Sequence, residues 1–279
     1  MKQLIILIAA LAAASFISCG NSQSSATADS DSTLCQFNNI DQRRMMQYIG
    51  QDGDTFYIDN SFSAFWPQVI NGKPCTVLQL ALLLTLTDSA QLNQLDLAID
   101  YLLKPNQYLE DIDSATLKPV EAINTDVGHV TNSEVSVVFE SMNDRLLTYH
   151  ISTYDYLAGG AHGVYSNRYV TYDLAKDKAV ALTDLIADTT LLRSTILRSI
   201  KQTYNYSEDD LMLPDNGLLP LPRDFFIEGS VVHVVYQVYD IASYAQGAID
   251  APLYPYMLKP EEMKRLFTPY GLELIDYTE

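Results

Sequence analysis

Apolar positions along the chain change their spacing several times, and each change marks an element. Residues 54–67 carry Phe56, Ile58, Phe62, Phe65 and Trp66 in partial alternation, which predicts an extended strand ending at Pro67. Asn71-Gly72-Lys73-Pro74 predicts a turn. Cys75 to Leu86 is densely apolar and predicts a buried helix with Pro74 near its start. A second helix is expected over Ser89–Leu103, with Ser89 as N-cap, Pro105 beyond its end, and Leu92, Leu95, Ile99 and Leu102 on one face. From Val120 the period becomes two. Val135, Val137 and Phe139 form one run, Asn143-Asp144 a turn, Leu147, Tyr149, Ile151 and Thr153 a second run reaching Tyr156, and Tyr165–Leu174 a third. These runs predict an antiparallel meander with one face in water. Helical spacing returns at Asp188 or Thr189 and lasts to Tyr204, with Arg193, Arg198 and Lys201 on the polar side. A hairpin pairs Phe225–Ile227 with Val231–Tyr236. A short helix spans Lys259–Phe267 with Pro260 in its first turn, and an alternating strand, Leu272–Ile275, ends the chain. Strands and helices come in blocks without regular βαβ alternation, so the expected class is α+β, antiparallel sheets packed with a few helices. No internal repeat is present.

The N-terminus does not belong to this pattern. After Lys2 comes an apolar run, Leu4–Ala14, of about eleven residues, the length of a signal-peptide core rather than the roughly twenty of a membrane span. It leads to Ile17-Ser18-Cys19, which resembles the lipoprotein signal motif, with Phe16 where that motif usually has Leu. The resemblance implies cleavage after residue 18 and acylation of Cys19 by diacylglycerol and a fatty acyl chain such as palmitate. Two or three acyl chains anchor stably where one does not. The alternative is an ordinary signal peptide with an incidental Cys. The following stretch, Gly20–Thr33, holds no large apolar residue and reads as a tether, so 19–40 is expected to be acylated Cys and flexible linker. Gly20 is not the Asp that retains many lipoproteins in an inner membrane, which leans the expectation towards an outer membrane.

Composition narrows the function classes. The chain has 279 residues, 48% of them apolar, enough for one large domain or two interlocked ones. Its net charge is −18, and loss of residues 1–18 would remove one base and no acid. Such a surface repels phosphate backbones and argues against nucleic acid as a partner. It favours a cationic partner through long-range steering, although solubility alone would also account for it. With Cys19 taken by lipid, Cys35 and Cys75 remain. An even pair in an oxidising compartment suggests a disulfide, which would stabilise by about 4 kcal/mol in the loop-entropy account; two buried free thiols are the alternative.

Candidate chemistry is sparse. His129, His150, His162 and His233 form no metal-ligand spacing, and the sequence has no nucleophile elbow and no phosphate-binding glycine pattern, so no catalytic residue, metal or cofactor is assigned. One segment is dense in special residues: Tyr154, Tyr156, Gly159, Gly160, His162, Gly163 and Tyr165 lie within twelve positions between two strands. It reads either as a binding loop with His162 at its tip or as a tight crossover whose His bonds to backbone. A second segment carries Tyr236, Tyr239, Tyr244, Tyr254 and Tyr256. With 19 Tyr against one Trp, this tilts recognition towards protein rather than sugar.

The same segments resemble a domain shared by lysozyme-sensing anti-sigma factors (RsiV-like) and the non-catalytic part of certain peptidoglycan deacetylases (PdaC-like). The match rests on Gly159-Gly160-Ala161-His162, on Tyr172-Asp173-Leu174 with Leu182-Thr183-Asp184-Leu185-Ile186, and on Tyr239-Asp240-Ile241-Ala242-Ser243-Tyr244-Ala245-Gln246-Gly247, where Ser243 replaces the frequent Pro. It implies an α+β binding module in two interlocked halves, here 41–160 and 161–279, whose role is to capture a cationic wall-degrading protein. The expectation is a non-catalytic envelope lipoprotein, bilayer-bound through Cys19, with Tyr156, Gly159, Gly160, His162, Tyr239 and Tyr244 in its binding loops and lysozyme-like protein or wall glycan as ligand. The alternatives are a wall hydrolase or deacetylase pairing His162 with a carboxylate such as Asp155 or Asp240, and a structural subunit of an envelope complex.

Overall fold

In the N-terminal part of the fold, β2 (Thr55–Ile70) is paired along its whole length by β1 (Cys35–Ile49) and extended at its end by the two-residue β3 (Lys73–Pro74). The computed structural model describes residues 35–50, 52–105, 116–124 and 128–277. Residues 1–18, Cys19 and the tether to residue 34 lie outside the described residues. β1 is a correction to the tether boundary at 40. Its 15 residues, CQFNNIDQRRMMQYI, show little alternation, and most are half-exposed or exposed. β1 lies next to the sheet edge, with the two-residue β4 (Lys118–Pro119) on its outer side, and because neither of its faces is deeply buried no regular apolar period is demanded. β2 also runs past Pro67, which pairs with Phe37 beside a bulge at Gln36/Phe37, one of the few strand positions that dispenses with an amide donor.

Two helices follow, α1 (Thr76–Thr87) and α2 (Leu95–Leu102). α2 is shorter than its apolar spacing predicts. The Ser89 and Thr87 hydroxyls bond local backbone, with Gln91 N donating to Ser89 Oγ at 3.3 Å, and hold 89–94 in turns. The chain then builds β5 (Gly128–Met142), β6 (Leu146–Tyr156) and β7 (Val164–Asp173), with β8 (Lys178–Ala179) closing the end of β7. β5 lies parallel to β2, whereas β5–β6 and β6–β7 are antiparallel. The large sheet is therefore mixed, and the connection that makes β5 parallel carries α1 and α2 over one face. The expected boundary at 160 falls inside the β6–β7 hairpin. The apolar cores divide later, after β7.

The C-terminal part holds α3 (Leu182–Leu185), α4 (Thr189–Tyr204), a three-stranded sheet of β9 (Asp224–Glu228), β10 (Val231–Tyr236) and β11 (Ile249–Leu253), then α5 (Pro260–Leu266) and α6 (Pro269–Leu274). Asp188 caps α4 by accepting from Leu191 N at 2.8 Å. The expected terminal strand is a helix, α6. Thr268 accepts from Gly271 N, Pro269 opens the first turn, and Gly271 lies so close to the Leu185 carbonyl that a Cβ would stand 2.5 Å from it. Capping and contact override the alternation of Leu272 and Leu274.

Two apolar cores result. One is built by Phe62, Trp66, Val137, Tyr149, Ile151 and Tyr172 of the large sheet with Leu78, Leu82, Leu83 and Ile99 of the helices. The other joins Leu192, Ile196 and Ile200 of α4 to Ile227, Val232, Val234 and Ala251 of the small sheet. Both belong to one compact unit, and the architecture is α+β. A buried polar knot ties them. Asp173, fully buried at the end of β7, accepts from Arg145, from Tyr270 Oη at 2.7 Å, and from the amides of Ala175 and Lys176. Burial alone would raise its carboxyl, but these donors hold it below the usual carboxylate range.

Cys35 and Cys75 are both free thiols, one of the two alternatives that the sequence left open. Burial pushes the Cys75 thiol up to about 11.

Candidate functional site

Strand alternation sends one set of large-sheet side chains under α1 and α2 and the other set outward. The outward set carries the chemistry. In register across the strands lie Ser63, Ser136, Ser152 and Asn167 as one row, and Ser61, Glu134, Tyr154 and Tyr165 as the next. These residues line a shallow cavity of about 250 Å³.

On the other side of the serine row, Val138, His150 and Tyr169 are cross-strand neighbours. Tyr169 then stacks on Phe226 of β9 at 4.5 Å, and Phe226 on His233 of β10 at 4.4 Å. With His150 stacked on Tyr169 at 4.8 Å, four rings form one column spanning both sheets. Carboxylates border it: His233 Nδ1 lies 2.9 Å from Asp250, and Glu228 approaches its Nε2 at 3.7 Å. Burial pushes the Tyr169 phenol up to about 12, with Glu140, Asp250 and Asp224 adding to the rise through their negative charge.

The free upper edge of β7 is closed by side chains. Gln237 imitates a neighbouring strand, its Nε2 donating to Asn167 O at 2.6 Å while its Oε1 accepts from Asn167 N at 2.7 Å. This clip brings the segment after β10 beside the serine rows, and with it the second tyrosine cluster. His162 of the β6–β7 turn stacks on Tyr244 at 3.8 Å; Tyr165 meets Tyr244 edge-on at 6.1 Å, and Tyr239 lies 6.0 Å away. Tyr239 has φ 69° and is 50% exposed. A bulky residue in the left-handed region costs about 1–3 kcal/mol, and such strain concentrates at functional positions. Three sequence-predicted residues, His162, Tyr239 and Tyr244, thus meet. Tyr156 does not join their rings; its hydroxyl donates to Gly160 O at 3.2 Å and braces the turn. Gly159 supplies φ 82° there, and Gly163 passes beneath Tyr154, whose ring a Cβ would strike.

Among the described residues His162 has no carboxylate partner. Its Nδ1 faces the Gly163 carbonyl at 3.1 Å, and the Asp240 carboxylate accepts from Gln237 N instead. Among the described residues no three His, Cys, Asp or Glu side chains gather as metal ligands. A larger cavity of about 530 Å³ opens on the helix side, near Thr85, Arg168, Asp224 and Gln237. Its charges serve each other: Arg168 binds Thr85 O and Asp88, Arg223 also binds Asp88, and buried Asp224 lies 3.6 Å from Arg168 Nε. Burial raises the Asp224 carboxyl above its ordinary value. This cluster locks the end of α1 to the C-terminal core.

The aromatic column escaped sequence reasoning because its members are far apart in the chain. His150 and His233 look like isolated strand histidines, and only cross-strand register aligns them.

No family model matches the chain, and no curated protein matches it by sequence. Among solved structures, the fold is similar to a crystal structure of a DUF3298 family member from Bacteroides fragilis, with 17% identity, a TM-score of 0.56, and coverage of 85% of this chain and 95% of that one. A DUF3298 family protein from Pseudomonas aeruginosa PAO1 aligns at 16% identity and a TM-score of 0.49, over 85% of this chain and 96% of that one. The chain thus shares the fold of a DUF3298-type domain.

Proposed function

We propose that this chain is a non-catalytic binding module, tethered to a cell-envelope membrane through acylated Cys19, that captures a cationic protein on the open face of its sheets. The observation that carries the reading is the His150–Tyr169–Phe226–His233 column with Glu140, Glu228 and Asp250 beside it. Large rings offer apolar area at low entropy cost, and flanking carboxylates steer and orient a positive partner. The surface is broad and shallow, suited to a protein face rather than an enclosed small molecule. The wall-hydrolase reading needs a carboxylate on His162; stacking on Tyr244 and the backbone contact leave that role unsupported.

The test is calorimetric titration of the acylated chain in lipid nanodiscs with lysozyme, and separately with soluble wall fragments. The expected result is saturable binding to lysozyme that weakens with salt, abolished by Tyr169→Ser with Phe226→Ser. Binding of wall fragments alone would transfer the role to the serine rows and their 250 Å³ cavity. Binding of neither at moderate salt would remove the capture reading.

A further inference from the structure

The α1 sequence, TVLQLALLLTLT, contains no charge and is apolar nearly all round. A helix of that composition is expected to be covered on every side. Only part of it is: Leu78, Leu82 and Leu83 enter the core, while Val77, Leu80 and Leu84 face out, Leu84 being 52% exposed. Their spacing of three and four makes one stripe. α2 packs on α1 and adds Leu97 and Tyr101, also exposed. Contiguous apolar surface of this kind marks a docking site.

The place where the described chain begins says what lies against it. Cys35 pairs with Ile70, Ile70 with Lys73, and Cys75 is the N-cap of α1, so the fold emerges from its N-terminal segment beside the start of this helix. Residues 20–34 lie between Cys19 and that point, a reach of at most about 50 Å when extended. We infer that the outer stripe of α1, with Leu97 and Tyr101, rests on the lipid surface that receives Cys19. This rests on the anchoring reading above. The chain's negative charge disfavours anionic headgroups, so the surface is one of zwitterionic phospholipid. An uncharged helix lying in the interface buries its apolar side while the sheet stays in water. The helices cover one face of the large sheet and the aromatic column occupies the other, so this contact turns the capture face away from the bilayer.

Depth-dependent quenching tests it on the full acylated chain in phosphatidylcholine vesicles. Leu84→Trp reports the stripe and Tyr154→Trp the open face, with buried Trp66 as common background and its near-ultraviolet signal as the check on folding. Brominated acyl chains are expected to cut the added emission of Leu84→Trp by about twofold, and that of Tyr154→Trp not at all. Equal emission from both variants overturns the inference. If mass spectrometry then shows the acyl group, the anchoring reading stands alone; without the acyl group both fall. Unquenched Leu84→Trp with a dimer in sedimentation assigns the stripe to a second copy, which likewise overturns it.

Discussion

The two faces of the large sheet are made from the same strands yet obey different rules. Under α1 and α2, Phe62, Trp66, Val137, Tyr149 and Ile151 are almost entirely excluded from water. On the reverse, Ser63, Ser136, Ser152 and Asn167 keep polar heads in solvent, with Tyr154, Tyr169 and Phe226 among them. Burial fixes the first set through packing, where each lost methylene is felt. In the second set the serines and Tyr154 are available for contact, while the half-buried Tyr169 and Phe226 both present ring area and join the two sheets. Substitutions on the two faces should therefore separate stability from binding.

Trp66→Ala on the covered face should lose about 3–5 kcal/mol, read as a shift in the denaturant midpoint with the slope unchanged. Lysozyme affinity of the fraction still folded should stay the same; a parallel loss of affinity would blur the distinction between faces. Asp173→Asn comes next, at about 2–3 kcal/mol, because Arg145 and Tyr270 lose a buried charged acceptor. The Asp173 carboxyl is held below its ordinary value in the fold. Its contribution is therefore complete above the ordinary carboxylate range and vanishes as pH falls through the folded-state value. The wild-type acid-unfolding curve should be steeper there than that of Asp173→Asn.

Gly163→Ala, in the β6–β7 turn, should cost about 1–2 kcal/mol, since Tyr154 must swing from over the turn. Tyr239→Gly should have the opposite sign, raising stability by about 1 kcal/mol through relief of its positive φ, while weakening lysozyme binding about tenfold. Tyr169→Ser with Phe226→Ser should change the binding isotherm most, and should also cost about 2–3 kcal/mol of stability because both rings are half-buried between the two sheets.

Much of the covered face was legible in the sequence. Val135, Val137, Tyr149 and Ile151 alternate because one side meets a core, and the α4 spacing with its Asp188 cap is read directly. β1 was not legible, because a strand beside the sheet edge leaves no apolar signature. The terminal Leu272–Leu274 alternation misled because a two-residue period is too short to outweigh Thr268, Pro269 and the contact of Gly271 with Leu185. At the candidate site, His162, Tyr239 and Tyr244 stood out by local density, yet the Gln237 clip that carries the second tyrosine segment to the first did not, since it is one side chain bonding backbone seventy positions away.

The sequence by itself determined the α+β class, the helices with strong apolar period and the acidic surface, because these depend on local periodicity and on charge count. Only the tertiary structure decided which face of the sheet stays open, that β2 and β5 run parallel, and that His150, Tyr169, Phe226 and His233 stand in one column. Register between distant strands is set by the packing of the whole fold, and no local pattern encodes it.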